Sequence, residues 1–429
     1  MANSSVLFLT CHDLGQHLGC YGQATVTSPA LDGLAAAGVR FTSSFCTAPQ
    51  CSPSRASLHT GRYPHSAGVM GLAHPPFGWR LDPRERHMAQ LLGEAGYSTT
   101  LVGMQHLIER GSAHELGYAE VLPVAPAYEE AEATIGLLRE LARQDRPFYL
   151  EVGFEEPHRP YDFGGAQPDQ SRGVAIPPYL PDAPESRQDL AAFQGAIRQM
   201  DEGVGRILRG LDELGIADQT CVVFATDHGA AMPRAKGTLY DPGIEVALLW
   251  RWPAALPAGR VVSDMVSNVD VTPSLLDAVG LPVPAAVQGH SFWPLLTDKP
   301  YEPRGEIFAE KTFHTYYEPM RAVRTLDQKL IVNFEVSTTV DVPADIRASP
   351  IYPLLLEQFG GVRPPVELYE LTDDPWEQRN LADQPDMAAI QADLRHRLLR
   401  WMAETDDPLL RGPVASPYYA DALARLRAS

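Results

Sequence analysis

Val6-Leu7-Phe8-Leu9-Thr10, followed at once by Cys11-His12-Asp13, decides the fold class of this chain. So short and unbroken an apolar run reads as a strand buried on both faces, the habit of parallel sheets covered by helices on either side. The polar residues at its carboxyl end fall where open α/β sheets collect ligands. The pattern recurs at residues 220–225, which run into Asp227-His228. Working outward, residues 98–102, 148–153 and 246–250 read as further strands and 39–45 as strand-like. Helical patterns lie between them. Thr27-Ser28-Pro29 reads as the cap and first turn of a helix over 30–37 that Gly38 stops, and residues 87–95 form another that Gly96 ends. Over 189–214, Leu190, Phe193, Ile197, Met200, Val204, Ile207, Leu208 and Leu211 recur at spacings of three and four, the stripe of a long amphipathic helix. Residues 272–279 are a shorter one. This alternation predicts an α/β sandwich around a large, mostly parallel central sheet.

The rhythm changes near Pro303. Residues 320–324, 329–334 and 366–371 read as half-buried antiparallel strands, and 386–403 as a terminal amphipathic helix. The expected organisation is therefore a catalytic domain over 1–313 and a smaller C-terminal α+β lobe with an antiparallel sheet over 314–429. The Pro-rich segments 125–128, 176–184 and 342–353 read as surface loops, and no internal repeat is present.

The chain has 429 residues, 45% of them hydrophobic, enough to bury a sizeable core. Thirty-five basic against 54 acidic side chains leave a formal charge of −19. A binder of nucleic-acid backbones needs a basic face, so no nucleic-acid partner is expected. A small site can still be locally positive and take an anionic substrate. Five cysteines, Cys11, Cys20, Cys46, Cys51 and Cys221, are an odd number and too sparse for a disulfide scaffold. No basic, apolar leader and no membrane-length apolar run is visible, so the expectation is a cytoplasmic protein without a membrane partner.

Polar clusters sit at several strand ends: His12-Asp13, Cys51 to Arg55, His106, His158, Asp227-His228 and Lys236. Brought into one crevice they would make a metal-assisted hydrolytic site. The longest cluster, Cys51-Ser52-Pro53-Ser54-Arg55-Ala56-Ser57-Leu58-His59-Thr60-Gly61, resembles the sulfatase signature C-x-P-S-R with T-G following. Resemblance to the sulfatase family extends over almost the whole chain: Gly19-Cys20-Tyr21-Gly22, Asp227-His228-Gly229, Lys236-Gly237-Thr238 and, in the C-terminal lobe, Glu367-Leu368-Tyr369-Glu370-Leu371 with Asp374-Pro375-Trp376-Glu377. Glu156-Pro157-His158-Arg159 and the long helix are similar to the heparan N-sulfatase (sulfamidase) branch.

The resemblance implies an alkaline-phosphatase-like α/β/α fold. It also implies oxidation of Cys51 to formylglycine by a maturation enzyme. The hydrated aldehyde then carries one hydroxyl that attacks sulfur and another that expels sulfate. Asp13, Asp227 and His228, with His12 and residue 51 itself, would hold a divalent cation, calcium first. Arg55 would support the nucleophile, His106 its turnover, Lys236 the sulfate, and His158 would protonate the leaving group. A sulfated sugar or oligosaccharide is the implied substrate, and a homodimer an allowed assembly.

Two departures stand out. The family usually opens with adjacent aspartates, whereas this chain has His12-Asp13; a neutral, softer ligand weakens calcium binding and admits manganese or zinc. In Gly103-Met104-Gln105-His106, Met104 stands where the family has a sulfate-contacting lysine. Lys236, His158 and Arg55 would then have to carry the anion, or another residue such as Lys311 moves in, and His314 lies in a candidate specificity loop that would bind substrate. Two alternatives share these motifs: a phosphodiesterase or phosphonate monoester hydrolase, and a sulfated-glycan binding protein that has lost catalysis.

Overall fold

Ser5–Cys11 forms the expected strand, and its pleat divides its side chains between two cores. Val6 and Phe8 join Leu58, Met88 and Leu101, whereas Leu7 and Leu9 join Leu138, Phe193 and Val204. With both faces covered, no position needs to be polar, and the strand reads as one apolar run. The computed structural model describes residues 4–335, 340–359 and 362–428.

The main sheet has eight strands, in the order Glu120–Leu122, Ser98–Gly103, Phe148–Gly153, Ser5–Cys11, Thr220–Thr226, Leu248–Arg251, Val39–Phe41 and Arg260–Val262. Leu248–Arg251 runs against the other seven. Ser5–Cys11 pairs in parallel with Phe148–Gly153 on one side and Thr220–Thr226 on the other. The helices Pro29–Ala36, Ala127–Leu141 and Pro184–Glu213 cover one face, and Cys51–Thr60, Met88–Glu94 and Val271–Ala278 the other. The α/β/α sandwich is as expected.

Local differences have local causes. The strand-like run over 39–45 is broken: Val39–Phe41 joins the main sheet, while Ser44–Phe45 pairs with Val266–Ser267 in a separate two-stranded sheet. The long helix begins at Pro184, five residues before its apolar stripe, because proline's fixed φ and missing N–H suit a first turn. The segment over 125–128 is only partly loop, since Ala127 opens a 15-residue helix. That helix crosses Pro184–Glu213 where Gly203 allows close approach; a Cβ there would stand 2.8 Å from the Ala127 carbonyl oxygen.

Ile307–Phe313, Tyr317–Arg324, Gln328–Asn333 and Val366–Glu370 form a four-stranded antiparallel sheet in that order. A division at 313/314 thus falls within the hairpin of its first two strands. On one face Phe308, Val323, Leu330 and Leu368 pack against Leu394, Leu398 and Trp401 of the helix Ala388–Glu404. On the other, Ile307, Ala309, Met320 and Ile331 meet Phe45, Leu239 and Ile244 of the catalytic domain. Period-two alternation therefore docks this lobe against the larger one. Among the described residues no helix is long and apolar enough to cross a membrane.

Candidate active site

Four neighbouring parallel strands deliver the polar clusters to one crevice. In sheet order, Ser98–Gly103 leads to His106, Phe148–Gly153 to His158, Ser5–Cys11 to His12 and Asp13, and Thr220–Thr226 to Asp227 and His228. The central pair is stitched together. Asp13 N and His228 N both donate to Asp227 Oδ1, at 3.0 and 2.9 Å, and Leu14 N donates to Thr226 Oγ1. Asp13 turns sharply off its strand with φ +53°, a conformation that aspartate tolerates better than most residues.

Cys51 is the first residue of the helix Cys51–Thr60, all ten of whose residues are buried. Its side chain therefore lies in the field of the helix N-terminus, which favours an anion. Cys51 Sγ is 3.4 Å from His228 Nε2 and 4.0 Å from Asp13 Oδ1. Ser54 Oγ donates to the Asp227 carbonyl, and Asn268 Nδ2 donates to Ser54 O and Oγ, which locks the helix to the strand end. Arg55 is wholly buried and donates to Asp227 Oδ2, Thr10 Oγ1 and the Cys11 carbonyl. With those donors on strand ends, Arg55 reaches Cys51 through its charge, a difference from the expected direct support.

Burial opposes ionisation of every cysteine. It raises the thiols of Cys11, Cys46 and Cys221, and that of Cys20 to about 12. At Cys51 burial acts the same way, but Lys236 and His228 overcome it and hold the thiol well below its ordinary value. All five are free thiols.

His12, Asp13, Cys51 and Asp227 bring ligand atoms within 4.8 Å of one another, and all four are buried. His12 Nδ1 stands 3.2 Å from Asp227 Oδ2 as an ion-pair contact, yet neither of its ring nitrogens makes a hydrogen bond. An unpartnered imidazole at 1% exposure beside two carboxylates fits a cation. His228 completes the fit: Nδ1 lies 2.9 Å from the Gly229 carbonyl and donates to it, leaving the Nε2 lone pair 3.0 Å from Asp13 Oδ1. Without a cation these groups pair with each other. Burial and Arg55 press His12 down, but Asp227 lifts it to about 9; burial opposes charge on His228 too, and Asp227 and Asp13 raise it well above its ordinary value.

Lys236 Nζ donates to Asp13 Oδ2 and Asp345 Oδ2, both at 2.7 Å, and lies 3.4 Å from His158 Nε2. His158 donates Nδ1–H to the Arg159 carbonyl, so its Nε2 faces Lys236 and Asp13, 3.7 Å from Asp13 Oδ2. His106 packs beside Cys51 and His12. Lys311, considered for the missing lysine, and His314 differ. Lys311 is buried and bound to Glu318 at 2.6 Å and Asp341 at 3.5 Å. His314 has a buried, unpartnered Nε2, and burial, followed by Lys236 and Lys311, lowers it to about 4.

Two residues escape the sequence reading. Asp345 lies in the Pro-rich 342–353 segment, which is not plain surface loop: it carries the short helix Ala344–Arg347. His74 sits in an irregular stretch without periodic signal, yet its Nδ1 is 2.8 Å from His106 Nε2. Only the tertiary fold brings either to the crevice.

The sulfatase family model matches residues 4–281, well over half of the chain. The chain belongs to the sulfatase family. A second model, N-sulphoglucosamine sulphohydrolase, C-terminal, matches residues 234–350 of this sulfatase. It is 30% identical to the N-sulphoglucosamine sulphohydrolase of Homo sapiens over 95% of this chain and 92% of that one. It is 26% identical to an ulvan-active sulfatase of Formosa agariphila, over 94% and 75% of the two chains. Among solved structures, a 2-O GAG sulfatase superposes with a TM-score of 0.77 at 22% identity, over 97% and 96% of the chains. A structure in complex with its substrate D-glucosamine-2-N,6-O-disulfate superposes at 0.71 and 18% identity, over 96% and 99%. This sulfatase is therefore a hydrolase of sulfuric esters or sulfamates.

Proposed function

We propose that this sulfatase cleaves the sulfamate or sulfate ester of a sulfated amino sugar, with residue 51 as nucleophile after a maturation enzyme has oxidised Cys51 to formylglycine. The observation that carries this reading is the placement of Cys51: first residue of a buried helix, 3.4 Å from His228, in a crevice where Asp13, Asp227, Lys236 and His158 converge. Likeness over 95% of the chain to an N-sulphoglucosamine sulphohydrolase supports the amino-sugar class.

As a hydrated aldehyde, residue 51 would supply one hydroxyl to attack sulfur and another whose deprotonation releases sulfate. A divalent cation, calcium first and manganese or zinc admitted by His12, would be held by His12, Asp13, Asp227 and His228 beside residue 51, supplying Lewis acidity to a sulfate oxygen. Arg55 holds Asp227 in place through its Nε at 3.2 Å. Lys236 supplies a positive charge to the anion; burial costs it, but Asp13 and Asp345 keep the ammonium charged well beyond its ordinary range. His158 Nε2, 25% of its side chain being exposed, delivers a proton to the departing amine or hydroxyl. His106 takes the proton of the second hydroxyl. His314, with its free Nε2, contributes to binding the sugar.

Turnover of N-sulfoglucosamine, p-nitrophenyl sulfate and a p-nitrophenyl phosphodiester by the matured, metal-loaded protein tests the proposal. Release of sulfate from the first two is expected. Cleavage of the phosphodiester alone would overturn it in favour of a phosphodiesterase on the same fold.

A further inference from the structure

His106 sits on a constrained turn. Its backbone is left-handed, with φ +62°, and the Gln105 side chain closes the turn by accepting from Ile108 N at 3.0 Å and donating to the Ile108 carbonyl at 2.7 Å. One face of the imidazole is therefore aimed by backbone, not by rotamer choice. Its two nitrogens have different surroundings. Nε2 lies 2.8 Å from His74 Nδ1, the two rings being 25° apart in plane with centroids 5.0 Å apart. Nδ1 is buried, and the ring packs against Cys51, close enough to share a hydrogen bond with it.

A single hydrogen lies between His106 Nε2 and His74 Nδ1, and the surroundings decide who owns it. Burial, then His106, lowers His74 to about 4, so its ring is neutral and can accept at Nδ1. If His74 owned the hydrogen, His106 would carry its own on Nδ1 and could take no proton from residue 51. With the hydrogen on His106 Nε2, the bond to His74 is made and Nδ1 presents a lone pair to the nucleophile.

We infer that His74 is a positioning residue of this sulfatase: by accepting a hydrogen bond from His106 Nε2–H, it fixes the tautomer in which His106 Nδ1 can take the proton of a residue 51 hydroxyl. The inference rests on the reading of His106 under the proposed function. A base oriented by a third group is the general arrangement of activated nucleophiles, and here the third group is a neutral imidazole in place of a carboxylate. As the proton reaches Nδ1, the Nε2 hydrogen can pass to His74 Nδ1 while His74 releases its own from Nε2, so charge need not accumulate on His106. His74 is half-buried, one ring nearer to solvent than the nucleophile.

The test has two arms. In the first, ¹⁵N NMR of histidine-labelled, metal-free Cys51→Ala protein reads the tautomer of His106, assigned by loss of signal in His106→Gln. Hydrogen on Nε2 is expected, with a mixture of tautomers in the added His74→Leu variant. Hydrogen on Nδ1, or a spectrum indifferent to His74→Leu, overturns the inference. The second arm uses matured enzyme. His74→Leu is expected to lower kcat about 10- to 100-fold with KM within about threefold, whereas His74→Asn, which keeps an acceptor in the place of Nδ1, recovers most of the loss. Wild-type kcat in His74→Leu, or equal loss in both variants at unchanged thermal stability, overturns it. Because the NMR arm needs no substrate, failure of the substrate reading and failure of this inference are told apart.

Discussion

The helix Cys51–Thr60 carries a buried cluster of histidine and carboxylate at each end, and the two have opposite characters. At its start, Cys51 meets His12, Asp13, Asp227 and His228; at its last turn, His59 meets His87 and Glu151, with His59 Nε2 at 3.4 Å from Glu151 Oε1. Both bring ligand atoms within 4.8 Å of each other, so distance alone gives each the outline of a metal site. Both leave imidazole nitrogens without a hydrogen bond, on His12 at the start and on His59 at the last turn, so charge and not hydrogen bonding separates them. His87 Nδ1 accepts from Ala89 N as the cap of the next helix, so the hydrogen of the neutral ring is on Nε2 and that nitrogen has no lone pair for a metal. Glu151 Oε2 is taken by the phenols of Tyr118 and Tyr149. At the start of the helix, His12 Nδ1 faces Asp227 at 3.2 Å, and His228 Nε2 faces Asp13 at 3.0 Å and Cys51 at 3.4 Å. Burial without a strong charge partner makes an imidazole neutral, and His59 and His87 are lowered to about 3. Burial presses His12 down as well, but Asp227 beside it lifts it to about 9. A buried imidazole is structural where it stays neutral and part of a site where opposing charges converge on it.

The largest effect expected from this contrast is at Cys51. Cys51→Ala should lower sulfate release by about 10⁴-fold or more, because no other side chain of the crevice offers the same nucleophile. Intact mass should show the wild-type chain, and not the variant, altered at residue 51 after coexpression with a formylglycine-generating enzyme. Activity in the variant would place the nucleophile elsewhere.

Next comes the cation. Asp13→Asn should reduce kcat about 10³-fold and strip bound calcium or manganese measured by plasma mass spectrometry. Glu151→Gln at the other end of the helix should leave metal content unchanged. Metal loss from the second variant alone would reverse the assignment of the two clusters.

A smaller effect sharpens the role of His12. His12→Asp restores the adjacent aspartates usual in the family and should tighten calcium binding about tenfold in titration calorimetry, at the expense of zinc. Unchanged affinity for both ions would remove His12 from the ligand set.

The smallest effect belongs to the neutral cluster. Above pH 6.5, His59 and His87 are neutral whether the chain is folded or unfolded. Between pH 6.5 and about 3 the unfolded chain binds protons that the folded one refuses, so stability falls as pH falls. His59→Leu should therefore flatten the decline of the melting temperature between pH 7 and 5 by a few degrees. Parallel curves for wild type and variant would mean that His59 is protonated in the folded state.

Much of the candidate site was legible in the chain because its side chains follow strands directly: His12-Asp13 and Asp227-His228 each trail an apolar run, and Cys51 opens a proline-containing helix turn. His74 and Asp345 were not, since neither adjoins a periodic element and each reaches the site through residues distant in the chain, 2.8 Å to His106 and 2.7 Å to Lys236. Arg55 was legible as a neighbour of Cys51 in the motif, but where its donors go was not, because the strand-end carbonyl and hydroxyl it binds lie more than 40 residues away in sequence.

By itself, then, the sequence determined the two-sided burial of the sheet, the residue proposed as nucleophile and the family, because periodicity and a contiguous motif are local properties of a chain. The tertiary structure alone decided the order Ser98–Gly103, Phe148–Gly153, Ser5–Cys11 and Thr220–Thr226, and so which loops share a crevice. It alone set a charged cluster at the start of the helix Cys51–Thr60 and a neutral one at its end. Whether a histidine is a ligand, a base or a buried ring depends on the charges and hydrogen-bond partners around it, and those come from residues far apart in the chain.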